Sequence, residues 1–521
     1  MQPPEASFRI RSIYRLLWLA FWLTLIGFVR CWNAGDVFIQ KQIFFVDPDC
    51  YSRMTRVARV YEHPGQPVHT HEFENWPEGT RPHTTAPFDY LTAGLALVFR
   101  PFSPDAAVAL DRAGAWVSPL LGVLAGLALW LRGGRGRYAA LGLFAVSPIL
   151  VHGTALGRPD HQSLIMFCTV AALAVEGKTP LTRTRAVIGG LAWGLGLWVS
   201  LYEPLALLVL TCAIGAAAYR RAFFNRERLV WAGCIGLIFL LGLAVDGWPI
   251  ARPDPAVLAY FENWSHTVGE LGRATVGSLA SWGGWLLFAA PLLLAWRLFR
   301  ERDAEAGFWL GMLLALGALT LWQARWGYFL AVGFALALPA VLEVFQKRWL
   351  AWLVLVVSLW PVAREWDRML DTRQSSLSQE RRYEAVQLRD VATRLRAERR
   401  VPILAPWWQS PALAYWSGQP CVAGSSHESL PGIVDSARFF ESPGLTPAAL
   451  EILDRRKVDC VVAYDGVRVD RVCSAILGEP IPEESLARLL YERPHSVPAG
   501  LEPVYANNVF RVFIRRPAGT P

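Results

Sequence analysis

The sequence predicts a polytopic α-helical membrane protein with a C-terminal soluble α/β domain, and three observations carry that prediction. Apolar residues make up 53% of the chain and charged residues only 18%, with a mean hydropathy of +0.28. Apolar runs near the ~20 residues needed to span a ~30 Å hydrocarbon layer recur from Leu17 to Ala363. The chain also carries 24 Trp and 14 Tyr, amphipathic rings that collect at membrane interfaces. A disordered chain is excluded, and a soluble enzyme fits poorly.

About eleven spans are expected, centred on Phe21, Leu120, Leu143, Val170, Gly194, Leu210, Leu237, Phe288, Leu314, Gly333 and Val356. The stretch Phe88 to Phe99 is too short to count with confidence as a span and suits the interface. If the first span leaves the cytoplasm, every cytoplasmic segment is basic. These hold Arg9, Arg11 and Arg15; Arg132, Arg135 and Arg137; Lys178, Arg183 and Arg185; Arg220, Arg221, Arg226 and Arg228; Arg297, Arg300 and Arg302; and Lys347 with Arg348. That alternation obeys the positive-inside rule, so the net charge of +8 is topological and points to no nucleic acid. No small-residue cleavage site follows the first span, which is read as a retained anchor.

The membrane part is therefore assigned to residues 1–363, with a long first outer loop at 33–106, and an extracytoplasmic domain to 364–521. In the latter a charged helical pattern runs from Ser378 to Arg400. Strand-like runs follow at Val401 to Leu404, Cys460 to Ala463 and Val509 to Ile514, separated by helical patterns at Thr446 to Arg456 and Glu483 to Tyr491. Eight cysteines make no disulfide framework: Cys168, Cys212 and Cys234 lie in spans. Cys421, Cys460 and Cys473 allow at most one unassigned pair.

The informative polar residues sit in the outer loops. Asp47-Pro48-Asp49 offers two carboxylates as hard ligands for a divalent cation, or forms a solvated turn. His69, His71, Glu72, Glu74 and His83 are dense enough for zinc but lack a helical i, i+4 pair, so a structured loop or substrate contacts is preferred. Asp160, in Gly157-Arg158-Pro159-Asp160-His161-Gln162, either caps the fourth span or ligates a metal. Glu270 is a surface acid or reaches into a cavity. Arg325 either snorkels or pairs with a phosphate.

In order along the chain these residues resemble the motifs of the catalytic subunit of oligosaccharyltransferase, a GT-C glycosyltransferase. Asp47, Pro48 and Arg53 resemble its first motif; Gly157, Asp160 and Gln162 resemble its Gly-x-x-Asp-x-(Glu/Asp) run. Thr267-Val268-Gly269-Glu270 is similar to its Ser-Val-Ser-Glu loop, and Arg325-Trp326 to its late arginine. Trp407-Trp408-Gln409-Ser410-Pro411 resembles its Trp-Trp-Asp-Tyr-Gly signature. Two departures stand out: Gln162 replaces a second carboxylate, and Gln409 replaces the acid of the tract that binds the Ser/Thr of a sequon. The count of about eleven spans also falls short of the family's thirteen.

The resemblance implies a GT-C fold of about 11–13 spans in a bacterial inner membrane. It implies transfer of a sugar or oligosaccharide from a polyprenyl (pyro)phosphate carrier to a protein, glycan or lipid acceptor at the extracytoplasmic face. Asp47, Asp160 and Glu270 would be catalytic; Asp47 and Asp160, supplemented by Asp49 and His161, would hold Mg²⁺ or Mn²⁺. Arg325 would bind the donor phosphate, and Trp407, Trp408 and Gln409 the acceptor. The alternative is a non-catalytic transporter of lipid-linked saccharides or a polysaccharide-assembly protein. A transporter more often places ionisable groups near mid-membrane.

Overall fold

The computed structural model describes residues 4–82, 86–134, 136–248, 255–397, 400–497 and 500–515. Met1, His83, Arg135 and Pro521, which enter the sequence reading, lie outside these. The chain divides into two compact units. One comprises Met1–Ala34, Ala115–Gly247 and Gly272–Thr372, the other Gly35–Gly114, Trp248–Leu271 and Arg373–Pro521.

The first unit is helical. Among the described residues seven helices of the chain are long and apolar enough to cross a membrane, and an eighth span results if Val276–Gly283 and Leu286–Glu301 are counted as one. All eleven expected centres fall on helices: seven on these, Phe288 on the bent pair, and Leu143, Val170 and Gly194 on the shorter helices Arg137–Val146, Gln162–Glu176 and Arg183–Val199. Membrane burial explains the inverted exposure. Helix Gly327–Leu342 is buried along its whole length and forms the unit's core, whereas Glu227–Asp246 buries only Trp231 and Gly242. A helix apolar on all sides yet exposed on most of them is solvated by lipid, so the chain is an integral membrane protein.

The pair Val276–Gly283 and Leu286–Glu301 bends by 80°. Gly284 makes the corner at φ +75°, where a Cβ would collide with the Ser358 carbonyl; the next amide, of Trp285, donates to that carbonyl at 2.9 Å. At the polar ends of other spans, basic residues from separate turns meet. Arg132 pairs with Glu305 at 2.5 Å, Lys178 Nζ donates to the Arg132 carbonyl at 2.6 Å, and Arg228 pairs with Glu176 at 2.7 Å.

The second unit holds a four-stranded sheet in the order Ile403–Leu404, Cys460–Ala463, Arg511–Arg515, Leu501–Ala506. The first pair is parallel and the others antiparallel. Its helices include Ser376–Leu395, Pro447–Arg455 and Leu486–Glu492, the last two capped by Thr446 and Ser485. The expected third strand is Arg511–Arg515, and Leu501–Ala506 was unforeseen because Pro503 and a register shift break its alternation. The Phe88 to Phe99 stretch is part of a 14-residue helix, Ala86–Phe99. All eight cysteines are free.

Candidate functional site

In the first unit, the loop after helix Pro148–Gly153 folds tightly because Gly157 takes φ +71° and donates its amide to the Ala115 carbonyl at 2.9 Å. The turn closes with the Asp160 amide on the Arg158 carbonyl at 2.7 Å and delivers Asp160 to the start of helix Gln162–Glu176. Asp160 is buried. Its Oδ1 lies 2.6 Å from His161 Nδ1 and accepts the Gln162 amide at 3.4 Å, while its Oδ2 faces Arg158 Nη2 at 3.5 Å. The carboxylate therefore caps the helix weakly and engages two side chains at once.

Gln162 extends this arrangement to a residue with no role in the sequence reading. Its Nε2 donates to Glu203 Oε1 at 3.3 Å. Glu203, in the first turn of helix Tyr202–Tyr219, is 1% exposed, accepts from Ser200 Oγ at 3.0 Å, and forms an ion pair with Arg325. The Arg325 guanidinium also lies 5.8 Å from the Tyr202 ring centroid. Gln162 thus links two carboxylates, through its backbone to Asp160 and through its amide to Glu203, and each carboxylate carries an arginine. Asp160, His161 and Arg325 are brought together in this way, although Arg325 lies 122 positions beyond Glu203. A signal for Glu203 existed: an acid in an apolar run is costly in a membrane unless it is paired or used.

The remaining candidates belong to the second unit. Asp47 is the N-cap of helix Pro48–Glu62, accepting the Cys50 amide at 3.1 Å, and the exposed Asp49 follows in the first turn. Arg53 and Arg56 both pair with the buried Asp89, each at 3.3 Å. Glu270 is half-buried in the short turn Gly269–Leu271.

Trp407 and Trp408 pack edge to face at 6.0 Å, flanked by Trp264 at 6.3 Å from Trp407 and Tyr464 at 6.5 Å from Trp408. Gln409 is buried and leads into helix Ser410–Ser417 with its Oε1 without a hydrogen-bond partner. The histidine-rich loop is structural in character: His71 faces Glu74 at 3.8 Å, Glu74 accepts from Ser429 Oγ at 3.1 Å, and Glu72 pairs with Arg59 and Arg400. Burial pushes the His71 imidazole down to about 3 and the Glu74 carboxyl above its usual range.

Among the described residues no group of three or more His, Cys, Asp or Glu is placed to hold a metal ion. Asp160 and His161 supply two adjacent donors whose chemistry suits a divalent cation, so the fit is partial.

No protein-family model matches the chain, and no curated protein matches it in sequence. Solved structures do. The oligosaccharyltransferase of Archaeoglobus fulgidus in its apo form gives a TM-score of 0.67 at 15% identity, covering 96% of this chain and 80% of that one. Its complex with Zn and sulfate gives 0.65 at 16%, covering 94% and 79%. The archaeal oligosaccharyltransferase AglB from Archaeoglobus fulgidus, in complex with an inhibitory peptide and a dolichol-phosphate, gives 0.62 at 17%, covering 98% and 75%. ArnT from Cupriavidus metallidurans bound to undecaprenyl phosphate gives 0.55 at 12%, covering 96% and 98%. The chain therefore has the GT-C fold seen in these proteins, as its motif order implied. At such identities the likeness establishes the fold, and the chemistry has to be argued from the residues.

Proposed function

We propose that this chain is a membrane glycosyltransferase that moves a sugar or oligosaccharide from a polyprenyl phosphate or pyrophosphate carrier to an acceptor at the extracytoplasmic face. The observation that carries the reading is two linked ion pairs, the buried Asp160 with Arg158 and the buried Glu203 with the half-buried Arg325, joined by Gln162. Burying three charges and half-burying a fourth at the ends of membrane helices is expensive, and such clusters mark sites where charge develops or moves. All four lie in a loop, a short turn or a helix's first turn, and none at a helix centre, which favours the enzyme over the transporter.

Departure of a lipid phosphate places negative charge on the carrier oxygens, and Arg325 is suited to meet it with a planar fork of N–H donors. Glu203 fixes the direction of that fork. Asp160 and His161 would hold the divalent cation, Mg²⁺ or Mn²⁺, with Asp47 and Asp49 added on the strength of the motif resemblance alone. When bound, such an ion would neutralise charge on the leaving phosphate. Glu270 is assigned to the acceptor or the metal.

The rings of Trp407 and Trp408 with the Gln409 amide would receive the acceptor. A neutral amide there lacks the charge-assisted grip of a carboxylate on a hydroxyl, so an acceptor other than the ordinary sequon fits better. Residues 364–521 are placed on the extracytoplasmic side of a bacterial inner membrane, in keeping with the basic turns on the other.

The test is a comparison of lipid-linked saccharides and glycosylated products in cells with and without the gene. Loss of one glycosylated product with accumulation of its lipid-linked donor supports transfer. A changed lipid-linked pool with no product altered would move the assignment to transport.

A further inference from the structure

Four basic side chains from two turns gather where helix Ala106–Arg132 ends. Lys178 Nζ donates at 2.6 Å to the carbonyl of Arg132, the last residue of that helix. The Arg132 side chain is 4% exposed, pairs with Glu305 and lies 5.2 Å from the Trp309 ring centroid. Arg137 opens helix Arg137–Val146 and lies 5.8 Å from the Trp130 ring centroid, and Arg185 is in the first turn of helix Arg183–Val199. Burial, and after it the charges of Arg132, Arg185 and Arg137, hold the half-buried Lys178 ammonium below its ordinary range against the pull of Glu305.

Helix Gln162–Glu176 separates this cluster from the candidate site. Asp160 stands just before its start and Lys178 just after its end, so its 15 residues set the two about 22 Å apart at a rise of ~1.5 Å per residue.

The charge of the cluster is poorly balanced. Glu305 pairs with Arg132, whereas Lys178, Arg137 and Arg185 take part in no ion pair among the described residues. The neighbouring acids Glu176 and Asp303 are engaged by Arg228 and Arg297. Both helices that begin here carry arginine and no acid in the first turn, so cations stand against the positive ends of two helix dipoles. Trp130 Nε1 and Arg132 Nε are buried without a hydrogen-bond partner among the described residues. Cations, helix N-termini and orphaned donors all call for an acceptor that carries negative charge. The positive-inside rule asks only for basic residues in such turns, and exposed ones such as Arg221 satisfy it. It does not ask for a lysine half-buried among three arginines.

We propose that Arg132, Arg137, Lys178 and Arg185 form a binding site for the phosphodiester headgroup of an anionic phospholipid of the surrounding bilayer. A phosphate oxygen supplies the acceptor, and the position of the cluster at the ends of lipid-solvated spans puts that oxygen on a lipid. The site stands apart from the donor site of the proposed function.

The test titrates the full chain in neutral detergent with phosphatidylglycerol and with phosphatidylcholine of the same acyl chains, with inorganic phosphate as competitor, and reads bound lipid by native mass spectrometry. The site variant is Arg137→Gln/Lys178→Gln/Arg185→Gln, which leaves Arg132 with Glu305. The control, Arg221→Gln/Arg226→Gln/Arg348→Gln, removes three exposed cations from other turns. Arg325→Gln perturbs the proposed donor site. Each variant is checked by its unfolding temperature.

The expected result is phosphatidylglycerol binding weakened roughly tenfold by the site variant and less than about threefold by the control or by Arg325→Gln, with phosphatidylcholine binding the same in all. If the site variant does not fold, Lys178→Gln against Arg221→Gln decides, with a loss of about threefold expected for the first and none for the second. Equal loss in the site variant and the control would overturn the proposal and leave only the general attraction of basic turns for anionic lipid. Loss in Arg325→Gln without loss in the site variant would place the lipid in the donor site, overturning the proposal and leaving the proposed function standing. Inorganic phosphate displacing the lipid at concentrations near the lipid's own would overturn the lipid source.

Discussion

Replacing Glu203 by glutamine is the sharpest perturbation of the candidate site, because the change is nearly isosteric and removes only charge. The carboxylate is 1% exposed, accepts from Gln162 Nε2 at 3.3 Å and Ser200 Oγ at 3.0 Å, and pairs with Arg325, whose side chain is 19% exposed. Removing one partner of a fully buried ion pair costs ~3–5 kcal/mol, chiefly because the surviving charge is left without compensation. Arg325 retains some exposure, which lowers the expectation to roughly 2–4 kcal/mol. Removing the arginine as well, in Glu203→Gln/Arg325→Gln, should recover much of that loss. A double-mutant cycle on reversible unfolding in mixed micelles reads the difference, and a coupling of about 2 kcal/mol is expected. A coupling under ~0.5 kcal/mol would refute the claim that Glu203 holds Arg325, since distant residues add to within that margin.

Three further outcomes follow from the same geometry. Gln162→Glu places a second carboxylate against Glu203, so unfolding in chelator should shift to lower temperature by the equivalent of ~1–3 kcal/mol and recover with Mg²⁺ or Mn²⁺, or when Glu203→Gln is added; indifference to both would count against the linkage. The His71 imidazole, held at about 3 against an ordinary 6.5, binds its proton more readily when unfolded. Stability should therefore fall as pH drops from about 6.5 towards 3, by at most ~1.4 kcal/mol per pH unit from this group, and His71→Gln should flatten the slope in that window. Purified protein with its lipid-linked donor should not glycosylate Asn-x-Ser/Thr peptides, and robust product that vanishes when Asn becomes Gln would restore the conventional acceptor.

What the sequence reveals and conceals follows the range of each interaction. Apolar runs are local, so all eleven span centres fall on helices. The N-cap of helix Pro48–Glu62 is local too, and Asp47 fills it. Strand Leu501–Ala506 was missed because Glu502 and Pro503 and a register shift hide its period. Glu203 escaped for a different reason: it meets Gln162 from 41 positions away and Arg325 from farther still, and no spacing rule joins them. Lys178 and Arg132, 46 positions apart, are the same case. The interleaving of three chain segments in each unit is likewise a tertiary fact without a local mark.

The central claim is transfer from a lipid phosphate carrier with Asp47 and Asp160 in the machinery, and turnover of the native lipid-linked saccharide tests it most directly. The wild-type chain in nanodiscs, given the lipid-linked pool extracted from its host with Mg²⁺ or Mn²⁺, should release the lipid phosphate and transfer the saccharide. Asp160→Ala and Asp47→Ala should each lower the rate by at least about a hundredfold with unfolding temperatures near wild type, Asp49→Ala less, and chelator should do the same to the wild type. Undiminished turnover in Asp160→Ala, or in chelator, would contradict the account.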